Sequence, residues 1–162
     1  MLAYALDEAA EGSTRAIEVI VGDDDSIAVR DDGRGTDTRR GDDGTWVVKP
    51  VMATPDLRFF DVPGSPQLPD GLPRSGMSVV AALSSWLVHT NVRAEGAWSA
   101  RYVRGIPDGR PASLVPAGLP TGTTVSFVPD PQVFGSQVVD PEHLGVLLTS
   151  IDSTAMISLT TP

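Results

Sequence analysis

The sequence of 162 residues contains no cysteine and only two histidines, His89 and His143. The absence of cysteine excludes disulfides and thiolate metal sites. Two histidines are also too few for the usual histidine-based metal centre. We therefore predict that the chain has no metal site.

Long apolar runs are missing as well, because no segment approaches the roughly 20 residues that a membrane-spanning helix needs. The first residues, Met1 to Tyr4, lead directly into acidic residues. They lack the basic and apolar regions of a signal peptide. We therefore expect no membrane partner and a cytoplasmic location.

The sequence has few positively charged residues. Twelve lysines and arginines stand against 21 aspartates and glutamates, which gives a formal net charge of −9. A protein that binds nucleic acid on its own presents a basic face to the phosphates. The charge balance therefore argues against direct nucleic-acid binding. The length and a hydrophobic fraction of 41% are those of one folded domain, which we place at residues 1–162.

Periodicity in the sequence predicts a mixture of helices and strands. The predicted helices are residues 2–11, 45–52, 76–87 and 141–151. The predicted strands are residues 16–21, 26–30, 88–93, 98–103, 123–128 and 155–159. Residues 31–44 show no periodicity, and prolines predict a long irregular loop at about 55–76. This order predicts an α+β fold with helices on one face of a sheet.

The segment with the clearest chemical character is Ala28 to Gly35, Ala-Val-Arg-Asp-Asp-Gly-Arg-Gly. A β-branched run ends there in two carboxylates and two glycines, which is typical of a strand that ends in a tight loop against a ligand. By itself the pattern also fits a solvated turn. Three further segments flank it, namely Leu6-Asp7-Glu8-Ala9, Ser78-Val79-Val80-Ala81-Ala82-Leu83-Ser84 and Thr121-Gly122-Thr123-Thr124-Val125.

Together these four segments resemble the ATP-binding domain of the DNA gyrase B subunit and topoisomerase IV, within the superfamily of gyrase, Hsp90, histidine-kinase and MutL ATPases. The resemblance covers about residues 3–134. It implies the Bergerat-type ATPase fold, a two-layer sandwich of a mixed, mostly antiparallel sheet with helices on one face. It also implies that Asp31 holds the adenine amino group, beside Gly33 and Gly35 and backed by the hydroxyl of Thr123. Such a charge-assisted bond is strong in a partly dry pocket.

The same resemblance implies further ligand-binding positions. Glu8 and Arg34 match a glutamate and an arginine that pair at the pocket mouth, although a surface salt bridge would use the same residue types. The apolar wall of the pocket would consist of Val29, Val51 and Met52.

The phosphate end departs from the gyrase pattern. Tyr4 stands where gyrases have a magnesium-binding asparagine, and the general-base glutamate would fall before Met1. Tyrosine does not replace an amide oxygen on a cation that demands octahedral oxygen ligands. The glycine-rich lid becomes residues 70–76, in which Pro73 removes a backbone N–H that could bind phosphate. Without metal ligand, base and lid, little phosphoryl transfer is expected. The expected cofactor is therefore none, or an adenine nucleotide held without magnesium.

What remains is the half of the pocket that binds a flat heterocycle. In gyrase, aminocoumarin antibiotics bind there through the aspartate and an arginine. Arg93 matches that arginine, although a surface arginine at the end of a hairpin is an equally good interpretation. The sequence therefore predicts a shortened, degenerate relative of gyrase B that binds a planar small molecule without hydrolysing ATP.

The ligand would be a nucleotide, an antibiotic or a biosynthetic intermediate, which leaves a resistance or carrier role open. One alternative is an enzyme that uses the emptied phosphate site for other chemistry. Its candidate groups are Tyr4, Asp7, Glu8 and Arg74. A second alternative is an interaction module that contacts gyrase or forms a homodimer. Weak ATPase activity through rearranged residues is the third.

Overall fold

A computed structural model describes residues 1–36, 39–47, 76–115, 118–136 and 139–162 of the chain. Its helices are α1 (Leu2–Ala10), α2 (Met77–Ala82), α3 (Pro131–Phe134) and α4 (Pro141–Thr149). Its strands are β1 (Ala16–Val21), β2 (Ile27–Asp31), β3 (Arg39–Arg40), β4 (Trp46–Val47), β5 (Ser84–Arg93), β6 (Gly96–Val103), β7 (Ile106–Pro107), β8 (Ala112–Leu114), β9 (Gly122–Pro129) and β10 (Met156–Thr160). In these parts of the chain, no helix has the length and apolar character needed to cross a membrane.

Eight of these strands form one sheet in the order β10-β1-β2-β9-β5-β6-β7, with β8 also paired to β6. The β1–β10 pair is parallel. The other described pairs of this sheet are antiparallel. The remaining two strands, β3 and β4, form a separate hairpin. The sheet is therefore mixed and mostly antiparallel.

One face of the sheet is apolar, because alternate side chains along a strand point the same way. A row of buried register partners crosses this inner face, and it consists of Val19, Val29, Val125, His89 and Ala100. Helices α1 and α4 pack against the inner face near β1 and β2, and α2 packs against it near β5 and β6. The result is the two-layer α+β sandwich that the sequence predicts.

Several elements lie where the periodicity places them. The first strand spans residues 16–21 as predicted, α1 ends one residue earlier than predicted, and the final strand is shifted by one residue at both ends. Helix α4 begins as predicted, because the Asp140 carboxylate accepts a hydrogen bond from the N–H of Glu142 at 3.0 Å and Pro141 occupies the first turn.

The long helix predicted at residues 76–87 is confirmed over Met77–Ala82 and wrong after Ala82. Helix α2 ends at Ala82, and β5 begins at Ser84. The Ser84 hydroxyl donates to the carbonyl of Val80 at 2.6 Å and so satisfies the end of the helix. Leu87 is fully buried in β5 and pairs across the sheet with Phe127. Sheet pairing therefore overrides the helical spacing of the apolar residues.

The helix predicted at residues 45–52 is also wrong where it is described. Trp46 and Val47 form β4, which pairs with Arg39 and Arg40 of β3. This hairpin extends into the segment 31–44, for which no regular structure was expected. Residues 48–52 and most of the predicted loop at 55–76 lie outside the described residues.

His89 is the least expected member of the inner face. It is 4% exposed, and its ring packs edge-on against Trp98 with the ring centroids 4.9 Å apart. Within the described residues neither ring nitrogen has a hydrogen-bond partner. Burial lowers the pKa of His89 from 6.5 to about 4, because the charged imidazolium would be desolvated.

We predict that His89→Leu removes part of the acid sensitivity of the fold. The unfolded chain protonates His89 near pH 6.5 and the folded chain only near pH 4. Its contribution to stability is therefore complete above the higher pKa and is lost as the pH falls towards the lower one. The difference corresponds to about 3 kcal/mol in the free energy of unfolding.

Urea denaturation at about pH 7 and about pH 4.5 measures this loss. His89→Leu should lose less stability on acidification than the wild type. His143→Gln, at an exposed position of α4, should lose as much as the wild type. An equal loss in all three proteins would contradict the prediction.

Candidate functional site

The candidate site lies where β2 ends. Residues 31–36, which we call the Asp31 loop, leave the sheet there between α1, β9 and β5. Of the predicted ligand-binding residues, the structure gathers Asp31, Gly33, Gly35, Thr123, Glu8, Arg34, Val29 and Arg93 in and around this loop. Val51 and Met52 lie outside the described residues.

Asp31 is half-buried and uses its two carboxylate oxygens differently. Its Oδ1 accepts hydrogen bonds from the N–H of Gly33 at 3.0 Å and from the N–H of Thr123 at 3.2 Å. Within the described residues, its Oδ2 makes no hydrogen bond. Burial raises the pKa of Asp31, and the two N–H groups only partly offset that effect. One oxygen therefore holds the loop, and the other remains as an acceptor.

The contact between Asp31 and Thr123 runs through the backbone N–H of Thr123. The resemblance to gyrase implies the threonine hydroxyl for this support. The structure thus joins the two residues through the backbone N–H of Thr123 and not through its hydroxyl. A role for the hydroxyl towards a ligand stays a prediction.

Two glycines let the backbone approach the Asp31 carboxylate and carbonyl closely. A Cβ on Gly33 would lie 2.5 Å from the hydroxyl oxygen of Thr14 and 2.9 Å from Oδ1 of Asp31. Gly122 has a φ of +135°, and a Cβ there would collide with the carbonyl oxygen of Asp31. Glycine is therefore required at position 122 for steric reasons, whereas a side chain on Gly33 would displace the side chains of Thr14 and Asp31.

Glu8 and Arg34 form the ion pair that the sequence suggests. The Nε of Arg34 lies 3.1 Å from Oε2 of Glu8, and its Nη2 lies 3.1 Å from Oε2 of Glu11. Glu8 also accepts a hydrogen bond of 2.6 Å from the hydroxyl of Ser13. More than half of the Arg34 side chain is exposed, so the pair contributes at most about 1 kcal/mol to stability. Its main effect is to tie α1 to the Asp31 loop.

Asp32 has a structural role that its place in the sequence motif does not reveal. Its Oδ1 accepts hydrogen bonds from the N–H groups of Arg15 and Ala16 at 2.8 and 2.9 Å. Burial acts to raise the pKa of Asp32, but the hydrogen bonds from Ala16 and Arg15 outweigh it and the pKa is lowered. The two adjacent carboxylates therefore hold the end of β2 to two different strands, β9 and β1.

The β5 side of the loop involves two residues. Arg93 donates from Nη1 to the carbonyl of Gly35 at 3.1 Å and from Nε to Glu95 at 3.3 Å. Asn91, which was not among the predicted site residues, contacts both backbone polar groups of Thr36. The one feature of the sequence that could have indicated Asn91 is its spacing from Leu87. The two residues lie four apart in one strand, so their side chains are on the same face, and Leu87 is a core residue.

A shallow depression adjoins Arg93. Its volume is about 250 Å³, and it is lined by Trp46, Arg93, Glu95 and Gly96. The Trp46 ring sits directly on Gly96, where a Cβ would lie 2.6 Å from the ring. The indole N–H donates to the hydroxyl of Ser113 at 3.0 Å. These contacts fix the ring at the edge of the site.

At the phosphate end, Tyr4 links two helices. Its hydroxyl accepts a hydrogen bond of 3.2 Å from the N–H of Met77, in the first turn of α2. Of the groups proposed for other chemistry, Glu8 is engaged with Arg34 and Ser13, and Arg74 lies outside the described residues. Among the residues that the structure covers, no three histidine or acidic side chains are grouped as a metal site would need.

We predict that Gly122→Ala destabilises the fold by about 2 kcal/mol or more, because the new methyl group would overlap the Asp31 carbonyl and force the backbone apart. Gly109→Ala is the matched control. Gly109 also has a positive φ, +82°, but nothing lies within 4 Å of its Cβ position. Its cost should be only about 1 kcal/mol of backbone strain. Equal losses in urea denaturation would show that close packing on Asp31 is not the constraint.

No family model matches the sequence, but curated relatives do. The DNA gyrase B subunit of Borrelia hermsii is 30% identical over 148 residues, which is 91% of this chain and 23% of the relative. The DNA gyrase B subunit of Thermus thermophilus is 32% identical over 154 residues, which is 93% of this chain and 24% of the relative. The chain thus spans about a quarter of the length of these two relatives.

A solved structure is similar over almost the whole chain. It is the crystal structure of the 43K ATPase domain of Thermus thermophilus gyrase B in complex with an aminocoumarin. The TM-score is 0.77 with 27% sequence identity, and the match covers 99% of this chain and 41% of that chain. It confirms the α+β sandwich that the sequence predicts. By sequence and by fold, the chain therefore belongs to the gyrase B-like ATPase domains.

Proposed function

We propose that the chain binds a planar small molecule at the Asp31 loop and does not hydrolyse ATP. The observation that carries the proposal is that the two oxygens of the Asp31 carboxylate differ in their hydrogen bonding. Its Oδ1 is held by the N–H groups of Gly33 and Thr123, and its Oδ2 makes no hydrogen bond within the described residues. A fixed, half-buried acceptor of this kind suits a donor on a ligand, such as the exocyclic amine of a heterocycle.

The surroundings of Asp31 favour a flat ligand. Val29 and Val125 are buried register partners on the inner face, next to Asp31 and Thr123 along their strands. Both are packed in the helix-covered core, so Asp31 stands at the edge of an apolar core. A flat ring whose amine reaches Asp31 would bury apolar area against that edge. A nucleotide, an antibiotic and a biosynthetic intermediate all meet this description.

The gyrase B domain of Thermus thermophilus was crystallised with an aminocoumarin. The same class of ligand is a candidate here, because Arg93 contacts the carbonyl of Gly35 at the edge of the Asp31 loop. If the natural ligand is an antibiotic of this kind, the protein acts in resistance or as a carrier.

The residues present fit the adenine end of a nucleotide but not magnesium. At the position matched to a magnesium-binding asparagine stands Tyr4, whose hydroxyl is engaged by the N–H of Met77. A tyrosine there offers no amide oxygen to a cation that needs octahedral oxygen ligands. Phosphoryl transfer depends on positioning and on neutralising charge. We therefore infer binding without turnover.

Asp31→Asn tests the binding proposal. The amide keeps the Oδ1 acceptor for Gly33 and Thr123, but it replaces the second acceptor by a donor. We expect isothermal titration to give magnesium-independent binding of ADP or of an aminocoumarin to the wild type. The substitution should weaken that binding by roughly tenfold or more, because a buried donor on the ligand loses its partner.

The melting temperature of the unliganded protein serves as the control, and it should change by no more than a few degrees. The proposal fails if neither probe binds the wild type, or if Asp31→Asn binds them equally well.

Turnover is tested separately. With ATP and magnesium, phosphate release by the wild type should not exceed that of Asp31→Asn, because Tyr4 supplies no metal ligand. Wild-type release that Asp31→Asn abolishes would identify an ATPase and overturn the second half of the proposal.

A further inference from the structure

We infer that Asn91 is a positioning residue, which fixes the Asp31 loop from β5 and so sets the geometry of the ligand site. This inference rests on the proposed function for its consequence, but the contact that carries it is independent of any ligand. Asn91 is 0% exposed and lies on the inner face of the sheet. In register it pairs with Thr123 of β9 on one side and with Trp98 of β6 on the other.

The Asn91 amide is bound at both ends by one residue of the loop. Its Oδ1 accepts a hydrogen bond of 2.6 Å from the N–H of Thr36, and its Nδ2 donates to the carbonyl of Thr36 at 3.2 Å. A buried amide is costly unless its polar atoms are paired. The backbone groups of Thr36, in an irregular segment, have the same need for partners. The two hydrogen bonds therefore pair the polar atoms of the Asn91 amide with the backbone N–H and carbonyl of Thr36.

Gly35 shows how closely the amide holds the loop. Gly35 has a φ of +74°, and a Cβ there would lie 2.7 Å from Oδ1 of Asn91 and 2.9 Å from the carbonyl oxygen of Val92. A larger residue would push the loop away from β5. The glycine and the buried amide therefore depend on each other.

Beyond Asp32, the loop backbone is anchored by a side chain at each end. At its start, Oδ1 of Asp31 holds the N–H of Gly33, and at its end Asn91 holds Thr36. Only Arg34 and Gly35 lie between these two anchored residues. If Thr36 is released, the described contacts hold the loop backbone beyond Gly33 only through Arg93 at the carbonyl of Gly35. The N–H of Gly33, which holds Oδ1 of Asp31 together with the N–H of Thr123, is then less firmly placed. Asn91 therefore preorganises the acceptor that the ligand would use.

Native-state hydrogen exchange of the unliganded protein tests this inference directly. Asn91→Leu keeps the site filled but removes both hydrogen bonds to Thr36. We expect the protection of the Thr36 amide to fall by roughly tenfold or more, because two bonds are lost. The amide of Leu87, in the same strand, should keep its wild-type protection.

Thr90→Val is the matched control. Thr90 precedes Asn91 in β5, and its hydroxyl contacts the hydroxyl of Ser99 at 3.4 Å. Because this hydroxyl bonds to β6 and not to the Asp31 loop, the substitution should leave the protection of Thr36 unchanged. A general loosening of β5 would instead lower protection in both variants and would contradict a specific role for Asn91.

Asn91→Asp adds a pH profile that a purely structural role would not give. The ionised carboxylate would accept from the Thr36 N–H but repel the Thr36 carbonyl. Once protonated, the introduced acid could donate to that carbonyl again. After correction for intrinsic exchange, the protection of Thr36 should therefore rise as the pH is lowered, while the wild type shows no such trend. Burial should place the transition above the ordinary carboxyl pKa of about 3.9.

Wild-type protection of Thr36 in Asn91→Leu, or an equal loss at Leu87, would overturn the inference. Titration with ADP and with an aminocoumarin then examines the consequence for binding. Asn91→Leu should weaken by roughly tenfold the binding of whichever probe the wild type binds, and unchanged affinity would refute the positioning role. A wild type that binds neither probe would refute the proposed function, whereas the exchange data would still decide whether Asn91 fixes the loop.

Discussion

The candidate site depends on one oxygen atom, Oδ1 of Asp31. It binds the N–H of its own loop at Gly33 and the N–H of the neighbouring strand at Thr123. The close approach that this requires is possible because Gly33 and Gly122 have no side chain. Asp32 and Asn91 hold the same loop to β1 and β5. The loop is therefore bound to three strands, while Oδ2 of Asp31 makes no hydrogen bond within the described residues.

The protein combines a scaffold of the gyrase B type with an altered end. The α+β sandwich is the fold of the gyrase B domain, with which the chain also shares sequence. Within the first helix, Glu8 faces the Asp31 loop through Arg34, whereas Tyr4 bonds to the N–H of Met77 and ties α1 to α2. The two ends of the site can change separately, because different contacts build them. Under the proposed function, this separation would allow binding to be kept while turnover is lost.

The fold could largely be predicted from the sequence where one periodicity dominates. Strand β1 alternates between buried and half-buried residues along its full length, and Asp140 marks the start of α4. The prediction failed in the second half of the predicted helix at 76–87, where apolar residues at helical spacing also suit a strand buried on one face. Long-range pairing with Phe127 decided between the two, and spacing within one segment carries no information about such pairing.

The residue types at the candidate site could be predicted from the sequence, but most of the contacts between them could not. Asp31, Gly33 and Gly35 stand out because carboxylates and glycines at a strand end are typical of a ligand loop. The support of Asp31 by a backbone N–H, and the clamp by Asn91, depend on which strands lie side by side. Asn91 is visible in the sequence as an amide within a predicted strand, but its burial is not, and its partner, Thr36, is 55 residues away.

The parallel pairing of β10 with β1 has a consequence for how the chain is made. Ala16 pairs with Met156, and Thr160 donates to Glu18 from 142 residues away. During synthesis on the ribosome, β1 and β2 can pair early, but the other side of β1 stays without a neighbour until residues 156–160 emerge. An open strand edge of this kind can pair with other nascent chains. Since β1 is the first strand of the sheet to be made and its partner β10 the last, this edge is open to wrong pairing for longer during synthesis than the edge of β2 that β9 covers.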